Sequence, residues 1–178
     1  MQSSIVEKTV SCKTIAPTNL EATVKSLRAA GKTIATLNGS FDLLHAGHLQ
    51  ILMEGADQAD VLIVALNSDD SIKRYKSSDR PIIPLLYRLQ IVAALACVDY
   101  VTWFDEDDPR MVLSKIKPDV HINGAEYGGD CIEADTVKQG GGRLHLVNRI
   151  PGLSTSQIIE KIGSLCGSSA QSKTTAKA

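Results

Sequence analysis

The sequence predicts an α/β domain: a three-layer, Rossmann-like fold around a five-stranded, mainly parallel sheet. Three observations predict it. Short β-rich runs alternate with segments of helical period from about residue 33 to residue 162. One run, Val61-Leu62-Ile63-Val64-Ala65-Leu66, is apolar throughout, as a strand covered on both faces requires. The unusual residues, meaning paired histidines, hydroxyl clusters and glycines beside charges, fall just after the strands, where open parallel sheets bind ligands.

In chain order, residues 1–17 show no clear periodicity and are expected to form an N-terminal arm. Leu20, Val24 and Leu27 recur at helical spacing, with Thr18 or Asn19 as cap and Gly31 as stop. Thr33–Leu37 reads as the first strand, ended by Asn38-Gly39. A helix follows from His48 to about Asp57, with Leu49, Leu52, Met53 and Ala56 inward, and leads into the apolar strand at 61–66. A helix begins near Ser68, and Leu85–Ala96 is apolar at helical spacing. Tyr100–Phe104 is the third strand. Pro109–Ile116 is a helix with proline in its first turn. Val120–Ile122 and Leu144–Val147 supply the fourth and fifth strands, and Ser154–Ile162 the last helix. The domain is expected over residues 18–163, with residues 164–178 as a disordered tail rich in Ser, Thr, Lys and Ala.

Composition excludes several classes of function. With 19 basic and 20 acidic residues the chain has no basic field for a polyanion, and its aromatic content of 4% gives no stacking platform. Nucleic acid is therefore not expected as a partner. No apolar run approaches the roughly 20 residues that span a bilayer. Met1-Gln2-Ser3-Ser4 leads into polar sequence, not a signal peptide. Cys12, Cys97, Cys131 and Cys166 form no CxxC pair and are expected to be reduced thiols in a cytoplasmic protein.

The segment after the first strand carries the chemistry. Gly39 and Gly47 let backbone approach a ligand, and His45 and His48, three residues apart, share one side of a helical first turn. Unpaired N–H groups and the dipole of that helix start favour a phosphate chain, and imidazoles there can donate to charge growing on phosphoryl oxygens. The rival reading, a histidine metal site, lacks a third ligand at recognisable spacing, and HExxH is absent. A chance match to Gly-x-(Phe/Tyr)-Asp-x-x-His-x-Gly-His is expected on the order of 10⁻⁶ times in a chain of this length.

Gly39-Ser40-Phe41-Asp42-Leu43-Leu44-His45-Ala46-Gly47-His48 resembles the signature of the cytidylyltransferase-like nucleotidyltransferases, and the likeness extends over roughly residues 33–162. Within that superfamily the heptose 1-phosphate adenylyltransferase branch is the most similar. The likeness rests on Asn38–His45, Val64–Asp69, Arg80–Arg88, Phe104–Asp107 and Gly152–Ile159. The resemblance implies in-line attack of a phosphate oxygen on the α-phosphorus of a nucleoside triphosphate, with release of pyrophosphate. His45 and His48 would stabilise the α- and β-phosphates, with Mg²⁺ carried by the nucleotide and no resident metal. Asn38, Gly39, Ser40, Phe41 and Gly47 would contact the nucleotide. Two readings stand for Asp42: a turn-capping carboxylate, or a group that holds the metal or orients the substrate phosphate.

Lys73, Arg74 and Lys76 form a basic cluster that is either a solvated face or, by resemblance for Lys73 and Lys76, countercharge for departing pyrophosphate. Arg88 lies among apolar neighbours and needs a polar partner: a salt bridge, or, as the resemblance favours, a phosphate. Ser154, Thr155 and Ser156 stand at a helix start after Gly152; capping needs one hydroxyl, so the other two point to phosphate contact, with Arg149 adding charge. One departure concerns Asn123, where heptose-type enzymes typically carry lysine. Asn123, Gly124 and Glu126 are expected to contact the nucleotide, and Glu126 with Tyr127 partly echoes the glycerol 3-phosphate cytidylyltransferases.

The expected function is adenylyl transfer from ATP to heptose 1-phosphate, by a stand-alone enzyme, since 178 residues leave no room for a sugar-kinase domain. A CTP-using enzyme acting on glycerol 3-phosphate or a similar alcohol phosphate is the alternative. From other classes come a non-catalytic nucleotide-binding regulatory module and a metal-dependent hydrolase, the latter lacking ligands and a general base. By resemblance the chain would be a homodimer.

Overall fold

A computed structural model describes residues 5–148 and 150–174. Along the chain run α1 (Ile5–Lys13), α2 (Leu20–Ala29), β1 (Ile34–Gly39), α3 (Ala46–Ala56), β2 (Val61–Asn67), α4 (Asp69–Tyr75) and α5 (Leu85–Ala93). These are followed by β3 (Tyr100–Phe104), α6 (Arg110–Ile116), β4 (Val120–Gly124), α7 (Ala134–Gln139), β5 (Arg143–Val147) and α8 (Thr155–Thr174). The sheet order is β3-β2-β1-β4-β5, and every pairing is parallel.

The all-parallel sheet follows from the sequence of its strands. Every residue of β2 is buried, which only a strand with helices on both faces can sustain. On one face Leu37, Leu62, Val64 and Leu66 pack with Leu52 of α3 and Leu89 and Val92 of α5. On the other, Ile34 and Ile63 meet Leu20 and Val24 of α2, Val112, Leu113 and Ile116 of α6, and Val137 of α7. Three layers result. The chain leaves β1 toward β2 and β3 and later returns to the other side of β1 with β4 and β5, so the order reverses between β1 and β4. A crevice opens at such a reversal, beyond the carboxyl ends of the strands.

The structure differs from the sequence reading at both ends. The expected arm contains α1, and its last residues dock on the sheet: Ile15 N–H donates to the Val101 carbonyl at 2.8 Å and Thr14 bridges Val101. Lys13 Nζ donates to the carbonyls of Val98 (2.6 Å) and Leu95 (3.2 Å), fixing the arm to the end of α5. These ties are tertiary, so no local period announces them. The last helix, expected to end at Ile162, continues to Thr174 through residues expected to be a tail. No proline interrupts that stretch, and Ile158, Ile162 and Leu165 keep helical spacing. α7 went unforeseen because six residues are too few for a visible period.

The four cysteines are free thiols, Cys12 and Cys166 exposed, Cys97 and Cys131 half-buried. Among the described residues no helix is long and apolar enough to cross a membrane.

Candidate active site

A cavity of about 820 Å³ opens at the carboxyl end of the sheet. Its walls come from the end of β1 and the loop beyond (Leu37–Asp42), His45, Gly47 and His48 at the start of α3, and Asn67 at the end of β2. Tyr75 and Lys76, Arg80, Asp107 and Asp108, Asn123 and Gly124 with Glu126 and Tyr127, Glu133, Val147 and Asn148, and Ser154–Ser156 also line it. These positions match the expectation that residues following the first, second, fourth and fifth strands converge.

His45 is the N-cap of α3 in extended conformation (φ −146°, ψ 171°), and its carbonyl accepts from His48 N–H at 2.9 Å. The rings lie 4.0 Å apart at 33°, and the Phe41 ring stands 5.4 Å from that of His48. His48 Nδ1 accepts a long bond of 3.4 Å from the His45 N–H, which puts the proton of a neutral His48 on Nε2, the atom able to donate to an anion. Gly47 lets the His45 ring sit close, since a Cβ would stand 3.0 Å from His45 Cε1 and 3.1 Å from Nδ1. Phe41 is buried with φ 47°, a conformation rare for a bulky residue, and it forms the floor beneath the histidines.

The hydroxyl cluster is brought to the same place. Thr155 Oγ1 donates to the Leu43 carbonyl at 3.3 Å, joining the start of α8 to the histidine loop. Ser154 is the cap: its Oγ accepts from Gln157 N–H at 3.2 Å, and its carbonyl accepts from Ile158 N–H. Capping thus accounts for one hydroxyl. Two helix N-termini, each with orphan N–H groups, face one cavity. Arg149 lies outside the described residues.

Three expectations are corrected. Arg88 is wholly buried and does not line the cavity. Its Nε donates to the Ile83 carbonyl (2.9 Å), Nη1 to the Ser40 carbonyl (2.5 Å), and Nη2 to the Asn67 carbonyl (2.9 Å) and Asp69 (2.7 Å). With four of its five N–H donors used by the chain and its side chain off the cavity, it positions the loops after β1 and β2. Lys73 is half-exposed, paired with Asp70 at 3.2 Å one turn back on α4, and it too lies off the cavity. Its neighbour Arg74 pairs with Asp107 (2.6 Å), so this face of α4 holds the loop after β3.

Asp42 is the third. Its buried carboxylate accepts from Arg80 Nε (2.7 Å), Ile82 N–H (2.9 Å) and Ile83 N–H (2.9 Å). Burial raises its pKa, but the Ile83 and Ile82 amides and Arg80 outweigh that and hold it below the usual carboxylate range. The carboxylate is structural, but it caps no local turn: it ties the loop after β1 to residues 80–83.

Arg80 is the residue that sequence reasoning left without a role. It lines the cavity with its side chain 15% exposed. Its place at the start of the Arg80–Arg88 stretch was visible, but only its pairing with Asp42 across 38 residues brings it inward. Lys76 stands at the cavity with its surface partly open; the enclosing walls, and then Arg80, push its ammonium below the ordinary lysine value. Tyr75 reaches across to Ser40, hydroxyl to hydroxyl. Glu133 and Asn148 line the far wall and carried no motif.

Asn123 accepts from Gly124 N–H at 2.9 Å, a bond within its own turn. Gly124 packs against the Glu126 carboxylate so closely that a Cβ would lie 2.3 Å from Oε2. Among the described residues no group of three or more His, Cys, Asp and Glu side chains is placed to hold a metal.

The family model described as cytidylyltransferase-like matches residues 36–161. The chain is 43% identical over 136 residues to the "Bifunctional protein HldE" of Syntrophotalea carbinolica, a match that covers 76% of this chain and 28% of that protein. It is 42% identical over 144 residues to the "Bifunctional protein HldE" of Geobacter metallireducens, covering 80% and 29%. It therefore spans under a third of the length of these relatives. Among solved structures, the lipopolysaccharide core biosynthesis protein of Thermoplasma volcanium is 26% identical, with a TM-score of 0.55, and the match covers 67% of this chain and 98% of that one.

Proposed function

The chain belongs to the cytidylyltransferase-like nucleotidyltransferase family, and on that premise we propose that it transfers the adenylyl group of ATP to heptose 1-phosphate. One observation carries the reading. The N-termini of α3 and α8, with His45 and His48 on one and Ser154–Ser156 on the other, face a single cavity at the sheet's reversal point. A triphosphate laid across two positive helix ends is held without lysine-rich walls, consistent with a net charge of −1.

The chemistry asks for placement and neutralisation. An oxygen of the acceptor phosphate attacks the α-phosphorus in line, the bond to the bridging oxygen of the β-phosphate breaks, and pyrophosphate leaves with the electron pair. His48 Nε2–H and the α3 N-terminus meet the charge growing on the phosphoryl oxygens, while the His45 ring, stacked against His48, adds a second imidazole. Mg²⁺ enters with the nucleotide. Similarity to a lipopolysaccharide core biosynthesis protein supports a sugar phosphate as acceptor. We place the protein in the cytoplasm, where ATP and sugar phosphates are found, as a homodimer.

Pyrophosphate release from a matrix of ATP, CTP, GTP and UTP against heptose 1-phosphate, glucose 1-phosphate and glycerol 3-phosphate tests the reading. ATP with heptose 1-phosphate is expected to give the highest kcat/KM. Preference for CTP with glycerol 3-phosphate would replace it with the cytidylyl reading. Tight nucleotide binding with no pyrophosphate from any pair would make the chain a regulatory module.

A further inference from the structure

Transfer between two phosphates brings two anions together, and the helix-end sites account for only one of them. The second needs cations of its own. Arg80 and Lys76 stand together on the cavity wall. The charges acting on Lys76 are Arg80, Asp42 and Arg88. Arg88 is neutralised by Asp69 at 2.7 Å, so Arg80 and Lys76 share one carboxylate, Asp42, and this trio carries one positive charge in excess, apart from Asp107, Asp108, Glu126 and Glu133 elsewhere on the lining.

That carboxylate is itself heavily used. Asp42 already takes the amides of Ile82 and Ile83, so it neutralises Arg80 only in part. Arg80 Nε donates to Asp42 Oδ2 and Nη2 is ion-paired with the same oxygen at 2.7 Å, in a geometry too poor for a second hydrogen bond, so a single carboxylate oxygen serves both nitrogens. One oxygen cannot satisfy the whole guanidinium, so donor capacity is left for an anion in the cavity that Arg80 lines. Asp42 holds the guanidinium still, as an anion-binding fork requires.

We propose that Arg80, positioned by Asp42 and flanked by Lys76, binds the phosphate of the acceptor substrate, as an anion subsite separate from the two helix ends. The assignment rests on the nucleotidyl-transfer reading for the identity of the anion, not for its existence. Arg80 orients the acceptor phosphate and lowers its repulsion with the α-phosphate; the bonds made and broken are those of the transfer already given.

Arg80→Lys keeps a cation beside Asp42 and loses the fork, and Arg80→Gln removes the charge. Both are compared with the wild-type full chain. The KM for the acceptor phosphate is expected to rise about tenfold or more in both variants, while KM for the nucleotide stays within about twofold. Thermal melts in inorganic phosphate, against chloride at equal ionic strength, give a readout independent of turnover: phosphate should stabilise the wild type and not Arg80→Gln. An unchanged acceptor KM, a rise confined to the nucleotide, or equal phosphate stabilisation of wild type and Arg80→Gln would each overturn the subsite. Arg80-dependent stabilisation by phosphate in a protein that releases no pyrophosphate would uphold the subsite and sink the transfer reading alone. If Arg80→Gln does not fold, the Lys variant carries both measurements.

Discussion

Arg88 Nη2 meets Asp69 Oδ1 at 2.7 Å beneath the cavity, and the same oxygen accepts the Leu85 N–H at 2.9 Å. One arginine therefore fastens the first turns of α4 and α5 to the strand ends from which the cavity is built.

Replacing Arg88 is expected to cost stability first. Arg88→Ala leaves the Ser40, Asn67 and Ile83 carbonyls without their donor and opens a void in the core, for a loss of about 3 kcal/mol or more. Urea unfolding measures it. A midpoint close to wild type, together with a large fall in kcat, would return Arg88 to the chemistry.

His48→Ala is expected to behave in the opposite way. The side chain is half-buried and belongs to neither core cluster, meeting one of them only at the Phe41 ring. Turnover should fall about 100-fold or more, with the melting temperature within a few degrees of wild type. Steady-state kinetics beside calorimetry decide it, and near wild-type turnover would dismiss the histidine pair as the phosphate-stabilising group.

Gly47→Ala probes spacing alone. The added methyl stands 3.0 Å from the His45 ring, which must shift to make room. A kcat loss of about 10- to 100-fold with little change in stability is expected. Retained kcat would mean that the position of the His45 ring is unimportant.

Acid should weaken the fold through His121. It is wholly buried on β4, its Nδ1 is 2.8 Å from Thr36 Oγ1, and burial lowers its pKa to about 4 from 6.5. The unfolded chain then binds more protons than the folded one between these values. Stability is fully present above pH 6.5 and declines as the pH falls toward 4, by about 3 kcal/mol in all. Asp42, Asp108 and Asp119, all held below the ordinary carboxylate value, act at lower pH. Urea midpoints at steps between pH 7 and 4.5 should drop in the wild type and stay level in His121→Phe. A parallel drop in both would exclude His121 as the cause.

The strands were legible in the sequence because each is a short apolar run with breakers at its ends, and Tyr100–Phe104 appears with the boundaries expected. The histidine turn was legible because its glycines and histidines are rare together. What escaped depends on contacts between distant segments. Arg88 looks the same in sequence whether it meets a phosphate or three carbonyls; only the fold places Ser40, Asn67 and Ile83 around it. Lys73 and Lys76 differ by three positions on or just past one short helix, and the end of α4 decides which reaches the cavity. Asp42 and Arg80 were both noticed, but their pairing joins positions 38 residues apart.

The bridge between Thr14 and Val101 also bears on how the edge of the sheet is guarded. β3 is an outer strand, and an uncovered outer strand is a template on which another chain can add. Thr14 and Ile15 occupy part of that edge and Lys13 sets a charge beside it. A version trimmed to begin at residue 18 would keep every cavity residue and still uncover the edge, so its expected failure is concentration-dependent aggregation, not loss of chemistry.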